Sequence, residues 1–214
     1  MGGSGSRFGG ETPKQFLLFG GKRVYLHTLE ALQKTQLFDE ILLVCHPAWV
    51  EIAAQETSGL KVIPGGETRQ ESAYLGLQAW AQNPDIVLIH DAVRPFVSPE
   101  ILQANIEQAI LHGAVDTCIP SADTLVHVPS GDTIQAIPPR QEYWRGQTPQ
   151  TFRFPLIWDA HQAARKEGFA STDDCSLVLK QGHPVHIVLG SERNIKITTS
   201  FDLLLAESMQ VARL

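Results

Sequence analysis

The chain of 214 residues lacks most of the features that would commit a protein to a special environment. Its three cysteines, Cys45, Cys118 and Cys175, are odd in number, far apart and without a C-x-x-C pair. That argues against a disulfide framework or a zinc ribbon and fits a reducing cytoplasm. No apolar run nears the ~18 residues of a membrane span, and no signal-peptide pattern precedes the globular sequence. Basic charge is not in excess either: 17 Lys and Arg against 23 Asp and Glu leave a formal net charge of −6. Nucleic acid is therefore a poor partner, because its non-specific binding relies on a broad basic surface. No Ser-His-Asp-like constellation is present, and His183 and His186 lack the carboxylate partners of a metal pair. What is there is ordinary: 43% hydrophobic and 19% charged residues, enough for one compact domain over 1–214.

The middle of the chain alternates apolar runs with helical spacing. Glu40 to Cys45, Lys61 to Ile63, Asp85 to His90 and Ala114 to Ile119 read as strands, the first short and continuous as a strand buried on both faces should be. Between them, Tyr25 to Lys34, Arg69 to Ala81 and Pro99 to Leu111 read as helices, the last capped by Ser98 with proline at its first position. This order predicts an α/β, Rossmann-like fold with a mostly parallel sheet flanked by helices. After Pro120 two short alternating segments, Asp123 to Val128 and Thr133 to Ile137, flank Pro129-Ser130-Gly131-Asp132. They predict a β-hairpin arm projecting from the core within about 121–150. A helix from about Pro155, another after Thr172, a strand from Val185 to Leu189 and a final helix from Phe201 complete the reading.

The first 23 residues differ from the average. They carry Arg7, Lys14, Lys22 and Arg23 against Glu11 alone, and they are rich in glycine. Closely spaced glycines let backbone N–H groups curl around phosphate oxygens. Gly2-Gly3-Ser4-Gly5-Ser6-Arg7-Phe8-Gly9 fails as a dinucleotide fingerprint, since Phe8 stands where the third glycine belongs. It fails as a Walker A loop too, because Gly21-Lys22 is followed by Arg23. A small polyanion remains the expected ligand.

The continuation Pro13-Lys14-Gln15-Phe16-Leu17 completes a pattern, G-x-G-x-R-[FM]-G then P-K-Q-[FY]-L. It resembles the nucleotidyltransferases that use CTP, specifically the 2-C-methyl-D-erythritol 4-phosphate cytidylyltransferase family and its close relative, ribitol-5-phosphate cytidylyltransferase. Five further segments agree in order: Gly65 to Ser72, His90 to Phe96, Gln147 to Phe152, Thr172 to Asp174 and Asn194 to Thr198. Such an enzyme joins CTP to a sugar-alcohol phosphate and releases pyrophosphate. Two anions must meet, so charge neutralisation and alignment matter more than proton transfer.

The resemblance implies a role for each matching residue. Arg7 and Lys14 would stabilise charge at the α-phosphate. Gly3, Gly5, Gly66, Ser72, Asp91 and Ala92 would hold the nucleotide, and Arg94, Arg140, Thr172 and Lys196 the acceptor. Ser72 could equally cap the following helix. Mg²⁺ would bridge the triphosphate oxygens with no protein ligand of its own, and the arm would build a homodimer in which Arg140 reaches the partner's site. Ile137-Pro138-Pro139-Arg140 departs from the family's Asp-Arg at this point. Thr172 to Val178 leans toward the methylerythritol acceptor; Ala114 to Thr117 and Gly146 to Phe152 lean toward ribitol phosphate.

One departure concerns the start. In the family the glycine loop follows a central buried strand, yet Met1 and Gly2 already occupy the loop's first positions. Such a strand would contribute on the order of 10 kcal/mol, close to the whole stability of a domain. The expectation is that the true start lies upstream; a truncated, inactive homologue is the alternative.

Overall fold

The computed structural model describes residues 13–57 and 59–211. A 3-10 turn, Lys14–Phe16, leads into a two-stranded hairpin, β1 (Leu18–Phe19) and β2 (Lys22–Arg23). Gly20 and Gly21 turn it with φ of 53° and 78°, the positive values that tight hairpins favour and side chains resist. The remaining elements are α1 (Val24–Gln33), β3 (Leu42–Cys45), α2 (Val50–Glu56), β4 (Lys61–Pro64), α3 (Arg69–Gln78) and β5 (Ile86–Ile89). They continue with α4 (Pro99–His112), β6 (Ala114–Pro120), β7 (Trp144–Arg153), α5 (Phe154–Glu167), α6 (Cys175–Lys180), β8 (His186–Leu189) and α7 (Ser200–Val211).

Among the described residues the main sheet comes in two pieces. β3 and β4 pair in parallel, Leu42 opposite Lys61. A four-stranded sheet follows the order β5-β7-β6-β8. β7 runs antiparallel to both neighbours while β6 and β8 are parallel, so three of the four strands share one direction. The mostly parallel sheet expected from the sequence is present, with β7 as the antiparallel strand that makes it mixed. Periodicity misses that strand because Trp-Arg-Gly-Gln-Thr-Pro-Gln-Thr-Phe-Arg has no apolar alternation. Its polar side chains are buried and paired instead: Thr151 Oγ1 donates to Asn105 Oδ1 (3.3 Å), and Gln150 Nε2 to Asp116 Oδ1 (3.1 Å). Pro149 sits where the β6–β7 register shifts, the kind of site where a strand tolerates proline.

Helices cover both faces. Val87 of β5 packs with Leu77 of α3 and with Phe152, Ile157 and Leu177, while its neighbour Leu88 packs with Leu32 of α1 and Leu102 of α4. Adjacent residues on a strand point to opposite faces, so this one pair fixes a three-layer arrangement. Ser98 caps α4 as expected, its Oγ accepting from the Ile101 N–H. The arm is exposed along nearly all of 122–146. Its hairpin shrinks to one antiparallel bridge, His127 to Ala136, with the His127 N–H donating to the Ala136 carbonyl at 2.8 Å. Among the described residues, nothing lies between β3 and β5 as a hydrogen-bonded strand. Their facing edges border a cleft of about 330 Å³.

Candidate active site

The polar end of that cleft lies just past the carboxyl ends of the strands, where open α/β sheets hold ligands. Asp91 stands two residues after the end of β5, and three cations converge on its carboxylate. Lys196 Nζ lies 2.7 Å from Oδ2, Arg94 Nε 3.7 Å from Oδ2, and Arg69 Nε 3.8 Å from Oδ1. Burial alone would raise the Asp91 pKa; Lys196, Arg69 and Arg94 outweigh it and hold the group well below the ordinary carboxylate range. Arg69 also pairs with the Asp174 carboxylate, so three cations meet two carboxylates and one positive charge is left over for an anion such as phosphate.

A relay of neutral groups fixes Asp91. Burial pulls His90 down to about 4, so the imidazole is neutral at physiological pH. Its Nε2 faces the Arg94 carbonyl at 3.2 Å and must be the donor there; Nδ1 then accepts from the Thr148 hydroxyl at 3.1 Å. Thr148 Oγ1 in turn accepts from the Asp91 N–H at 3.0 Å. Arg94, itself buried, donates from Nη1 to the Asn194 carbonyl at 2.7 Å, and the Asn194 amide donates to the Thr148 carbonyl at 2.9 Å. Strand β7 and the segment around Asn194 therefore hold the site from behind.

The expected residues gather unevenly. Lys14, Ser72, Asp91, Ala92 and Lys196 all line the cleft. Gly66 donates its N–H to Ser72 Oγ at 3.2 Å, and that hydroxyl also reaches the Thr68 carbonyl at 2.9 Å. Thr68, not Ser72, caps α3, accepting from the Glu71 N–H. Thr172 is exposed in the loop before α6, and Arg140 stands on the arm with Nη1 donating to the Ala122 carbonyl at 2.9 Å. Gly3, Gly5 and Arg7 lie outside the described residues. Sequence reasoning missed the partners behind the site. Arg69 Nη1 pairs with Asp174 Oδ2 at 2.7 Å, Asp174 Oδ1 meets His161 Nε2 at 3.0 Å, and Gln150 Oε1 accepts from the Asp174 N–H at 3.1 Å. Arg69, Gln150 and Asp174 each stand inside a recognised segment, but no spacing rule says that they meet.

Comparison with known proteins adds the family. The profile of IspD, 2-C-methyl-D-erythritol 4-phosphate cytidylyltransferase, matches residues 1–211. The chain belongs to that family. It is a nucleotidyltransferase family by its activity. The enzyme of this description from Geotalea uraniireducens is 40% identical over 215 residues, covering 96% of this chain and 92% of the relative. A ribitol-5-phosphate cytidylyltransferase from Lactiplantibacillus plantarum is 37% identical over 221 residues, covering 97% and 94%. Among solved structures, the 2-C-methyl-D-erythritol 4-phosphate cytidylyltransferase of Thermus thermophilus superposes with a TM-score of 0.81 at 35% identity, over 94% of both chains.

Proposed function

We propose that this member joins CTP to 2-C-methyl-D-erythritol 4-phosphate, giving 4-diphosphocytidyl-2-C-methyl-D-erythritol and pyrophosphate on the non-mevalonate route to isoprenoid precursors. The observation that carries the reading is the convergence of Lys196, Arg94 and Arg69 on Asp91 in the cleft that Lys14 also lines. A phosphate oxygen of the acceptor attacks the α-phosphorus; that P–O bond forms as the bond to the pyrophosphate oxygen breaks. Lys14 and Arg7 offset charge at the α-phosphate, while Lys196 and Arg94 hold the acceptor. Asp91 keeps those two cations in place between turnovers. Gly66 and Ser72 present a backbone and a hydroxyl to the cytosine, and Gly3 and Gly5 supply N–H groups to the phosphates.

A divalent cation such as Mg²⁺, bound together with the triphosphate, would supply charge neutralisation for the departing pyrophosphate. Asp91, held by Lys196, Arg94 and Arg69, would stay with those cations. The arm, with Val126, Val128, Ile134 and Ile137 exposed, supports a homodimer in which Arg140 and Thr172 complete an acceptor site. A cytoplasmic location suits a CTP-dependent enzyme; among the described residues no helix is long and apolar enough to cross a membrane.

Ribitol 5-phosphate is the second reading, favoured by the 37% identical relative. Pyrophosphate release with CTP and each acceptor separates the two. Methylerythritol phosphate is expected to give the higher kcat/KM, and replacing Lys14 by alanine to lower it about 10²–10³-fold. Release with neither acceptor would overturn the assignment.

A further inference from the structure

Of the three cations around Asp91, Arg69 is gripped from behind by side chains of the core. Its Nη1 donates to Asp174 Oδ2 at 2.7 Å and its Nη2 to Gln150 Oε1 at 3.4 Å. Its Nε lies 3.8 Å from Asp91 Oδ1, too far for a hydrogen bond, and Arg69 lines the cleft together with Lys14 and Lys196. The edge of the guanidinium nearest Asp91 therefore keeps a donor for a guest.

An arginine facing a carboxylate commonly closes a fork, two parallel N–H···O bonds that use both carboxylate oxygens. Asp174 offers Arg69 only one. Its Oδ1 is taken by His161 Nε2 at 3.0 Å, and an imidazole nitrogen facing a carboxylate is the donor. Asp174 is further pinned through its own N–H, which donates to Gln150 Oε1 at 3.1 Å. It stands at the N-cap of α6, yet its side chain caps nothing there, so both oxygens are spent on His161 and Arg69. Were Oδ1 free, a second N–H of Arg69 would close the fork, and the guanidinium would turn toward Asp174 and away from Asp91. Packing does not account for His161. It is 0% exposed on α5, and among the described residues its Nδ1 is buried without a partner. An apolar side chain would avoid that loss.

We propose that Arg69 is a phosphate-binding residue of this site, and that His161, acting through Asp174, is the positioning residue that keeps the Arg69 Nε–H turned toward the phosphate. Because this rests on the proposed transfer reaction, the phosphate belongs either to the nucleotide or to the acceptor, and the same N–H serves both. His161 never touches substrate; it decides how much of Arg69 the core holds back.

The test compares the full chain with its His161→Leu, His161→Gln and Arg69→Lys variants. Each is titrated with inorganic pyrophosphate by calorimetry, without turnover, and then assayed with CTP and acceptor. His161→Leu fills the space without a donor and is expected to weaken pyrophosphate binding about tenfold, the loss of one charge-assisted hydrogen bond. His161→Gln keeps an N–H and is expected to stay within roughly threefold of the parent. Arg69→Lys keeps the charge but cannot hold Asp174 and a phosphate at once, so about tenfold is expected there too. A rise in KM for CTP alone assigns the nucleotide's phosphates; a rise for the acceptor alone assigns its monoester. If His161 only packs, His161→Leu lowers the melting temperature while its folded molecules bind pyrophosphate as the parent does, which would overturn the proposal. Equal weakening by leucine and glutamine, parent-like binding by Arg69→Lys, or no binding by the parent would do the same. Arg69 is partly exposed, so its variant decides the matter even if His161→Leu does not fold. Differences in pyrophosphate binding with no turnover of either acceptor would refute the reaction and keep the assignment of Arg69.

Discussion

Asp91 shows how much one residue can organise and how little of it a sequence exposes. The segment His90-Asp91-Ala92-Val93-Arg94 places the carboxylate at a strand end, because an apolar run followed by a charge is readable from spacing. Its partners are not readable, since Arg69 and Lys196 come from segments 22 residues before and 105 after it. Asp116 illustrates the same limit with a measurable consequence. Burial, opposed by the Gln150 hydrogen bond, pushes its carboxyl up to about 6. A carboxyl with a folded pKa above its unfolded ~3.9 binds protons more readily in the native state, so its contribution to stability falls as pH rises from about 4 to about 6. Asp116→Asn removes that penalty. Relative to the parent, the variant should gain on the order of 2 kcal/mol between pH 4.5 and pH 7.5 in urea unfolding. A constant difference at the two pH values would contradict the buried, proton-binding role.

At the level of elements, helices and buried strands were legible wherever apolar periodicity and caps coincided. α4 runs from the proline after Ser98 to the residue before Gly113, whose φ of 90° ends it. α2, only seven residues long and without a side-chain cap, left no comparable signal. The arm was legible in outline, but turn residues alone do not build a ladder, and a single bridge is what remains. Its apolar side chains have no core of this chain to lie on: Ile134 is 52% and Ile137 63% exposed. If they bury against a second copy, Ile134→Lys with Ile137→Lys should convert a dimer to a monomer in sedimentation. Protomer unfolding should stay within about 0.5 kcal/mol of the parent, as for other exposed positions. Unchanged association would remove the arm from the dimer interface.

At the scale of the molecule, the division of the sheet among the described residues bears on cooperativity. Among the described residues β5 to β8 share a continuous ladder and the larger apolar cluster around Phe152 and Ile157, whereas β3, α2 and β4 are joined to the rest through side-chain packing and bonds such as Arg23 to Glu56, without a shared ladder. Local opening follows such boundaries. Native-state hydrogen exchange should find Leu43 and Cys45 amides opening at distinctly lower free energy than Val87 and Val115 amides. Identical opening energies would mean that the two halves unfold as one. Strand β7 ties a different pair of distant places together. Its first residues, Trp144 to Gly146, lie exposed at the root of the arm; four positions on, Thr148 grips His90 and Asp91, and Gln150 touches Asp174. A rigid strand transmits a tug along its length, so whatever clasps the arm also sets the posture of the cations around Asp91. If the arm is the proposed dimer contact, assembly and chemistry on this backbone have to evolve in step.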